Sequence, residues 1–307
     1  SGGVLRKVVS SFSNEIQPGN GAFNTVRPIV STIDSLVIRD FNNTKSNAYR
    51  GGWLTSGPMA EGSFIDWGNP VGEMMYEALR YLAGKKTPTP AFSTSGSHDA
   101  QVGLAAAAWD DPYAEAPWCA KPNMLVLSDV NPSFDSDGVP GSPYSSASSD
   151  VDGFNVGAML DLISEGEGDI KGLKFIGQSC ADASCFDGAP TAKSVSTLAQ
   201  VRGLAPEEPT KQGSYNSAGV AYFGKTYDLN PAENAQSVDT YVVALSSPLP
   251  SIDFKVGGQR VSLVPFAKSV WGPAGFVISP SKTSFQPTNQ IVDFYVERIA
   301  NTSDGDV

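Results

Sequence analysis

The sequence has a single histidine, no nucleotide-binding motif and no long apolar run, and each shortage excludes a class of protein. Any Ser-His-Asp or Cys-His arrangement would have to use His98, which lies in a Ser- and Gly-rich stretch without a G-x-S-x-G motif. We therefore interpret His98 as a surface residue. No P-loop or G-x-G-x-x-G is present, so nucleotide binding has no support. No apolar run reaches the roughly 18 residues that span a bilayer, so the sequence predicts no transmembrane segment.

Cysteines are also few, with three in 307 residues. Cys180 and Cys185 are separated by four residues in a small polar loop, and this spacing allows a local disulfide that would leave Cys119 alone. Three unpaired thiols are the alternative. The spacing and the shortage of histidines exclude a zinc site of the Cys-x-x-Cys type.

Charge is scarce and mostly negative. Charged residues make up 17% of the chain, and 21 Lys and Arg stand against 32 Asp and Glu, which gives a net charge of −11. A chain with this balance repels phosphate, so we do not expect nucleic acid as a partner. The balance suits a secreted protein, either for solubility alone or because acidic loops hold divalent cations.

Hydrophobic periodicity predicts alternating strands and helices with long loop insertions, which is typical of a doubly wound α/β domain over 1–248. A small antiparallel β appendage over 249–307 follows, with a hairpin turn at Gly257-Gly258. The predicted helices cover 25–38, 70–83, 154–164, 193–202 and 214–224, and the predicted strands cover 124–127, 173–177, 240–245, 252–256, 260–264 and 291–296.

The helix over 70–83 has the clearest signals of all. Asn69 is a candidate cap, Pro70 suits the first position and Gly84 suits the end. Helical spacing predicts one buried side, with a charged residue, Glu77, on the opposite and exposed side. The residues predicted to be buried are Val71, Met74, Ala78 and Leu82.

Several of these segments together resemble the PilY/PilC family of type IV pilus tip adhesins. The resemblance spans nearly the whole chain and is carried by residues 2–6 (GGVLR), 66–81 (DWGNPVGEMMYEALRY), 121–132 (KPNMLVLSDVNP), 206–215 (PEEPTKQGSY), 239–245 (DTYVVAL) and 265–269 (PFAKS). It implies a von Willebrand factor A-like (Rossmann-like) sheet that lacks its first strand. The opening residues read like the middle of a protein, so we expect a piece of a longer one.

The resemblance also implies a function. The chain would be a non-enzymatic module of an exported adhesin that passes through the periplasm to the pilus tip at the cell surface, promotes pilus assembly and contacts host or abiotic surfaces. Minor pilins and other pilus components would be its partners, together with the rest of the parent adhesin. That remainder would include the family's β-propeller with its calcium loop, which this sequence lacks.

Oxygen ligands for Ca²⁺ or Mg²⁺ are the candidate site chemistry. By resemblance, Asn69 stands where an A-domain has its metal-binding Thr, and Asp129 stands at the strand-end aspartate, but the D-x-S-x-S loop is missing. Asp135 and Asp137 echo the start of a calcium loop without its bidentate Glu. The alternative is that Asn69 only caps a helix and the aspartates only form turns.

Two other functions stay open at this point: a secreted hydrolase with paired carboxylates in the 129–153 region, and a structural spacer. Carboxylates facing each other across a deep apolar cleft would favour the hydrolase. A broad exposed face with aromatics such as Trp109, Trp118 and Trp271 would favour binding. A spacer would have neither feature.

Overall fold

A computed structural model describes residues 2–24, 29–34, 69–92, 106–114, 121–128, 131–203, 212–230, 234–244, 252–263, 267–270 and 285–288. Its helices are α1 (Ile29–Asp34), α2 (Val71–Leu82), α3 (Val156–Gly166) and α4 (Asn216–Thr226). Its strands are β1 (Asn123–Ser128), β2 (Gly172–Gln178), β3 (Phe186–Val195), β4 (Asp239–Ala244), β5 (Ile252–Val256), β6 (Gln259–Leu263), β7 (Ala267–Val270) and β8 (Phe285–Thr288). Short 3-10 helices cover Phe12–Asn14, Pro90–Phe92, Ala183–Cys185 and Leu198–Gln200.

The strands predicted over 124–127 and 240–245 are confirmed as β1 and β4, which pair in parallel from Asn123 opposite Asp239 to Ser128 opposite Ala244. Parallel strands need a long crossover, and α3 and α4 lie in the chain between them. Within the described ranges, the strands form four two-stranded ladders. No helix in the described part of the chain is long and apolar enough to cross a membrane.

The strand predicted over 173–177 is confirmed as β2, which pairs antiparallel with β3. The helical segment predicted over 193–202 is wrong, because β3 continues to Val195. The chain turns only at Thr197, whose side chain accepts the N–H of Ala199 and caps the 3-10 helix that follows. The Cys180–Cys185 disulfide closes the loop between β2 and β3, which resolves the choice that the spacing left open.

The core lies between three helices and one face of the β1–β4 ladder. Leu79 of α2, Val156 of α3 and Phe223 of α4 are fully buried, and burying each such side chain contributes roughly 1.5–3 kcal/mol. Helices α3 and α4 approach closely at Gly219, where a Cβ atom would lie 2.7 Å from Val156 Cγ2. The core side chains are Val71, Met75, Tyr76, Leu79, Met124, Val139, Val151, Phe154, Val156, Met159, Leu160, Ala199, Val220, Phe223, Leu229 and Val238.

Helix α2 begins and ends close to the predicted bounds, and Val71, Ala78 and Leu82 lie at the core as predicted, but the predicted positions of Met74 and Glu77 are wrong. Met74 is 50% exposed, whereas Glu77 is only 3% exposed. The helix is covered on two sides: Met75 and Leu79 face the core, and loops with polar groups cover the side that carries Glu77. Gly84 has φ +73° and ends the helix as predicted.

The remaining predictions have mixed outcomes. The hairpin at Gly257-Gly258 is confirmed, with φ values of +56° and +84° that only glycine adopts readily. The helix predicted over 25–38 is described as α1 over Ile29–Asp34; its spacing predicts that Ile29 and Ile33 lie on a buried side, but both are about half exposed. The strand predicted over 291–296 lies outside the described residues, as do Cys119, Trp118 and Trp271.

Candidate functional site

The two faces of the β1–β4 ladder differ in what covers them. Side chains alternate along a strand, and one face, with Met124, Val126 and Thr240, lies towards α2 and α4. The other face carries Leu125 opposite Tyr241 and Leu127 opposite Val243. These four side chains, here called the outer face, are 63, 59, 62 and 60% exposed respectively. The outer face is thus an apolar surface in contact with solvent.

A cavity of about 460 Å³ opens between the helices and the carboxyl halves of β1 and β4. Its walls are mostly apolar, with hydroxyl groups from Ser128, Ser214 and Ser217, and Val242 on this side is still 61% exposed. We call this cavity the wedge. In open α/β sheets, ligands bind at the carboxyl ends of the strands, which is the end where the wedge opens. The other lining residues are Val71, Met75, Val126, Asn131, Pro132, Tyr215, Ala218, Ala221, Thr240 and Ala244.

The first predicted metal ligand, Asn69, lies at this end of the sheet. The amide Nδ2 of Asn69 donates to Ser128 Oγ and to the carbonyl of Asn131, both at 3.0 Å. Asn69 therefore fastens the start of α2 to the end of β1, and its side chain does not cap the helix, because Pro70 holds the cap position. Asp129 lies outside the described residues.

The acidic loop, residues 131–141, contains the other two. Asp135 is fully buried, and its carboxylate accepts the N–H of Ser214 at 2.8 Å and that of Gly72 at 3.4 Å. It lies between the starts of two helices, where backbone N–H groups favour an anion. Burial raises the pKa of Asp135 to about 7. Asp137, by contrast, is exposed.

Glu73 is a buried acid that sequence reasoning missed. It is fully buried, and Gly138 N–H donates to its Oε1 at 2.9 Å, while its Oε2 has no hydrogen-bond donor within the described part of the chain. Burial, followed by the neighbouring Asp137 carboxyl group, raises the pKa of Glu73 to about 9. The available signal was the polar stripe of Glu73, Glu77 and Arg80 at helical spacing on α2.

A buried ion network follows one turn later on α2. Arg80 Nη1 donates to Glu77 Oε2 at 3.0 Å, and Nε and Nη2 donate to the two carboxylate oxygens of Asp150 at 2.9 and 2.7 Å. Thr89 N–H donates to Glu77 Oε1 at 2.7 Å. The hydrogen bonds and positive charge of Arg80 hold the pKa of Asp150 below its usual value. This network fastens two loops to α2.

Of the three tryptophans named as candidates for an exposed binding surface, Trp109 is the one among the described residues, and it is buried. Trp109 is 9% exposed, with the Arg80 guanidinium 5.2 Å from its ring centre and the Tyr81 ring packed edge-on against it. Trp109 therefore belongs to the packing around α2. Among the described residues, no group of three or more His, Cys, Asp or Glu side chains is arranged to hold a metal ion.

Sequence relationships extend over nearly the whole chain. Residues 1–224 match the family model for the second domain of PilY1 homologs, and residues 254–307 match the model for the β-sandwich of PilY1 homologs. The Type IV pilus biogenesis factor PilY1 homolog of Xylella fastidiosa (strain Temecula1 / ATCC 700964) is 46% identical over 324 residues, which cover 98% of this chain and 21% of that protein. The chain thus spans about a fifth of that relative. No solved structure matches this chain.

Proposed function

Because the chain belongs to the PilY1 family, we propose that it is an exported, non-catalytic module that acts in type IV pilus biogenesis by binding a protein partner through the outer face. The name of the Xylella fastidiosa relative supports a role in type IV pilus biogenesis. The observation that carries the mode of action is the exposure of Leu125, Leu127, Tyr241 and Val243, each 59% or more.

An exposed apolar sheet face needs a physical explanation. Parallel strands are almost always covered on both faces, and contiguous apolar surface on a water-soluble domain commonly marks an interaction site. Here α2 and α4 cover one face only. A structural spacer would have no use for such a surface, so its exposure favours binding.

The buried acids support a structural role over hydrolysis. Glu73 is fully buried, and the Glu77 carboxylate accepts hydrogen bonds from Arg80 and Thr89. Neither residue lines the wedge. A hydrolase would need its carboxyl groups at a cleft that a substrate can enter. The exposed surface at the wedge and the outer face is instead mainly apolar.

Export is part of the proposal, and the Cys180–Cys185 disulfide supports it. Disulfides persist in oxidising compartments such as the bacterial periplasm and the cell surface. We further propose that β1 and β4 belong to a von Willebrand factor A-like sheet, that the module lies at the pilus tip and contacts surfaces there, and that minor pilins are its partners. Ca²⁺ or Mg²⁺ binding near Asp129 and Asp137 remains part of this account.

Site-specific photocrosslinking tests the partner claim. A benzophenone amino acid replaces Val243 in the full-length parent protein, in cells that make pili, and mass spectrometry identifies the crosslinked polypeptide. We expect a pilin or another pilus assembly protein. The matched control places the same probe at Leu173 of β2, which is 75% exposed but lies on the other ladder. Crosslinks to pilus proteins at both positions, or at neither, would contradict binding through the outer face.

A further inference from the structure

Two carboxyl groups from distant parts of the sequence lie side by side, Glu73 of α2 and Asp137 of the acidic loop. Glu73 is fully buried, whereas Asp137 is exposed to solvent. We propose that these two carboxylates bind one Ca²⁺ ion, which fastens the acidic loop to the first turn of α2. This inference rests on the cation binding that the proposed function includes, and it adds Glu73 as a ligand.

The Glu73 carboxyl group has one oxygen without a partner. Its Oε1 accepts the N–H of Gly138 at 2.9 Å, whereas its Oε2 has no hydrogen-bond donor in the described part of the chain. Buried polar atoms are nearly always satisfied in proteins, and an ordered water or an ion satisfies those that lack a protein partner. A negatively charged oxygen in this position can serve as a ligand for a cation.

The contact between the two carboxyl groups needs a positive charge between them. Two ionised carboxylates at this distance repel each other, so either a proton or a cation must lie there. Burial and then Asp137 accordingly raise the pKa of Glu73 to about 9, which keeps a proton in the pair when no cation is bound. A divalent cation that replaces this proton compensates both negative charges and gives Oε2 a partner.

No basic side chain among the described residues supplies this positive charge through an ion pair. The lysine and arginine ion pairs of the described part of the chain use other acids. The charge of Arg202 does act on Asp137, but its guanidinium donates to Gln178 Oε1 and lies over the Tyr144 ring. The pair of acids is therefore open to a cation from solution, which can enter past the exposed Asp137 side chain.

Ca²⁺ fits this pair of acids better than Mg²⁺. Ca²⁺ accepts carboxylates, backbone carbonyls and water in a flexible geometry, so two carboxylates can be completed by the loop and by solvent, whereas Mg²⁺ demands a near-ideal octahedron. Extracellular Ca²⁺ modules bind with dissociation constants of about 10⁻⁴–10⁻³ M, and a site of this strength would fill after export. The ion would stabilise a loop whose Asn131 and Pro132 line the wedge.

Calorimetric titration of the purified chain with CaCl₂ tests this site without using pili. We expect the parent chain to bind Ca²⁺, and Glu73→Gln and Asp137→Asn each to weaken that binding by about tenfold or more. Asp135→Asn is the matched control, because it makes the same change in the same loop but both Asp135 oxygens already accept N–H groups. As a second readout, Mn²⁺ in place of Ca²⁺ should broaden the amide NMR signal of Gly138 in the parent chain but not in Glu73→Gln.

The site is overturned if the parent chain binds no Ca²⁺ at millimolar concentration, or if Glu73→Gln or Asp137→Asn binds it as tightly as the parent. Tighter binding of Mg²⁺ than of Ca²⁺ would overturn the choice of ion. Glutamine keeps an acceptor for Gly138 N–H, and circular dichroism checks that both variants fold. Binding through the outer face is tested separately, by the partner crosslinked at Val243 in cells. A filled Ca²⁺ site without that partner would remove the outer-face function and leave the site.

Discussion

Glu77 and Arg80 form an ion pair inside the protein, one turn apart on α2, with 3.0 Å between Glu77 Oε2 and Arg80 Nη1 and side chains that are only 4 and 6% exposed. Removing Glu77 leaves Arg80 paired with Asp150 but takes the acceptor from the N–H of Thr89 and from Arg80 Nη1, and a buried donor without its acceptor typically costs about 1–3 kcal/mol. We therefore expect Glu77→Ala to lower the free energy of unfolding by that amount in chemical denaturation. Met74→Ala is the control on the same helix and should cost far less, because Met74 is half exposed. Equal losses would mean that the side chain of Glu77 is solvated.

The pH dependence of stability should change when Glu73 becomes glutamine. The pKa of Glu73 is raised from 4.5 to about 9, chiefly by burial. Between these values the unfolded chain loses the proton while the folded protein keeps it, so stability present below pH 4.5 is lost as the pH rises to about 9. Glu73→Gln removes this loss. Denaturation at pH 4, 6 and 8 should show the variant gaining on the parent protein as pH rises, and parallel curves would refute a protonated Glu73.

The aspartates of the predicted cation site should differ in how their substitution changes the Tm with and without Ca²⁺ or Mg²⁺. Asp135→Asn should lower the Tm equally with and without Ca²⁺, because a buried N–H of Gly72 or Ser214 loses its acceptor at a cost of about 1–3 kcal/mol. Asp129→Ala and Asp137→Asn should leave folding nearly unchanged but reduce any rise in Tm that Ca²⁺ or Mg²⁺ produces. Differential scanning fluorimetry decides between these responses. An identical cation response in all three variants would remove these aspartates from the site.

The Cys180–Cys185 disulfide should stabilise the β2–β3 ladder, whose core cluster among the described residues consists of Ile176, Val195 and Val201. Closing so short a loop contributes about 2 kcal/mol by the chain-entropy account. Cys185→Ser should therefore increase hydrogen exchange in β2 and β3 more than in α2. Reduction of the parent protein should reproduce the effect and add nothing to the variant. Uniform exchange changes across the chain would contradict this local role.

Local sequence signals predict where a helix or strand begins and ends. They predict less well which of its sides is buried. Pro70, Gly84 and the apolar spacing predict α2 to within a residue, because caps and periodicity are properties of a short segment. The same spacing misplaces Met74 and Glu77, because the buried polar side of α2 is made by loops far away in the sequence. Thr89 is 12 residues from Glu77, and Gly138 is 65 residues from Glu73.

At the candidate site, too, the sequence predicts the strands but not which of their faces is exposed. The apolar runs of β1 and β4 predict strands of a parallel sheet, and the sequence also predicts that the carboxyl end of β1 carries polar groups. Neither the wedge nor the exposure of the outer face could be predicted, since Leu125 and Leu127 read like central-strand residues. The acidic loop is likewise shaped by distant contacts: Phe134 has φ +53°, a conformation that its own sequence disfavours.

The central claim, that the outer face serves pilus biogenesis, is tested most directly by two neighbouring valines of β4. Val242 and Val243 are 61 and 60% exposed, but Val242 lies at the wedge and Val243 on the outer face. Each is replaced by lysine in the full-length parent protein, expressed to equal levels in a strain that lacks the natural gene, and surface pili are counted by electron microscopy. We predict that Val243→Lys loses most pili and Val242→Lys keeps them. Normal piliation with Val243→Lys, or equal loss in both, would contradict the account.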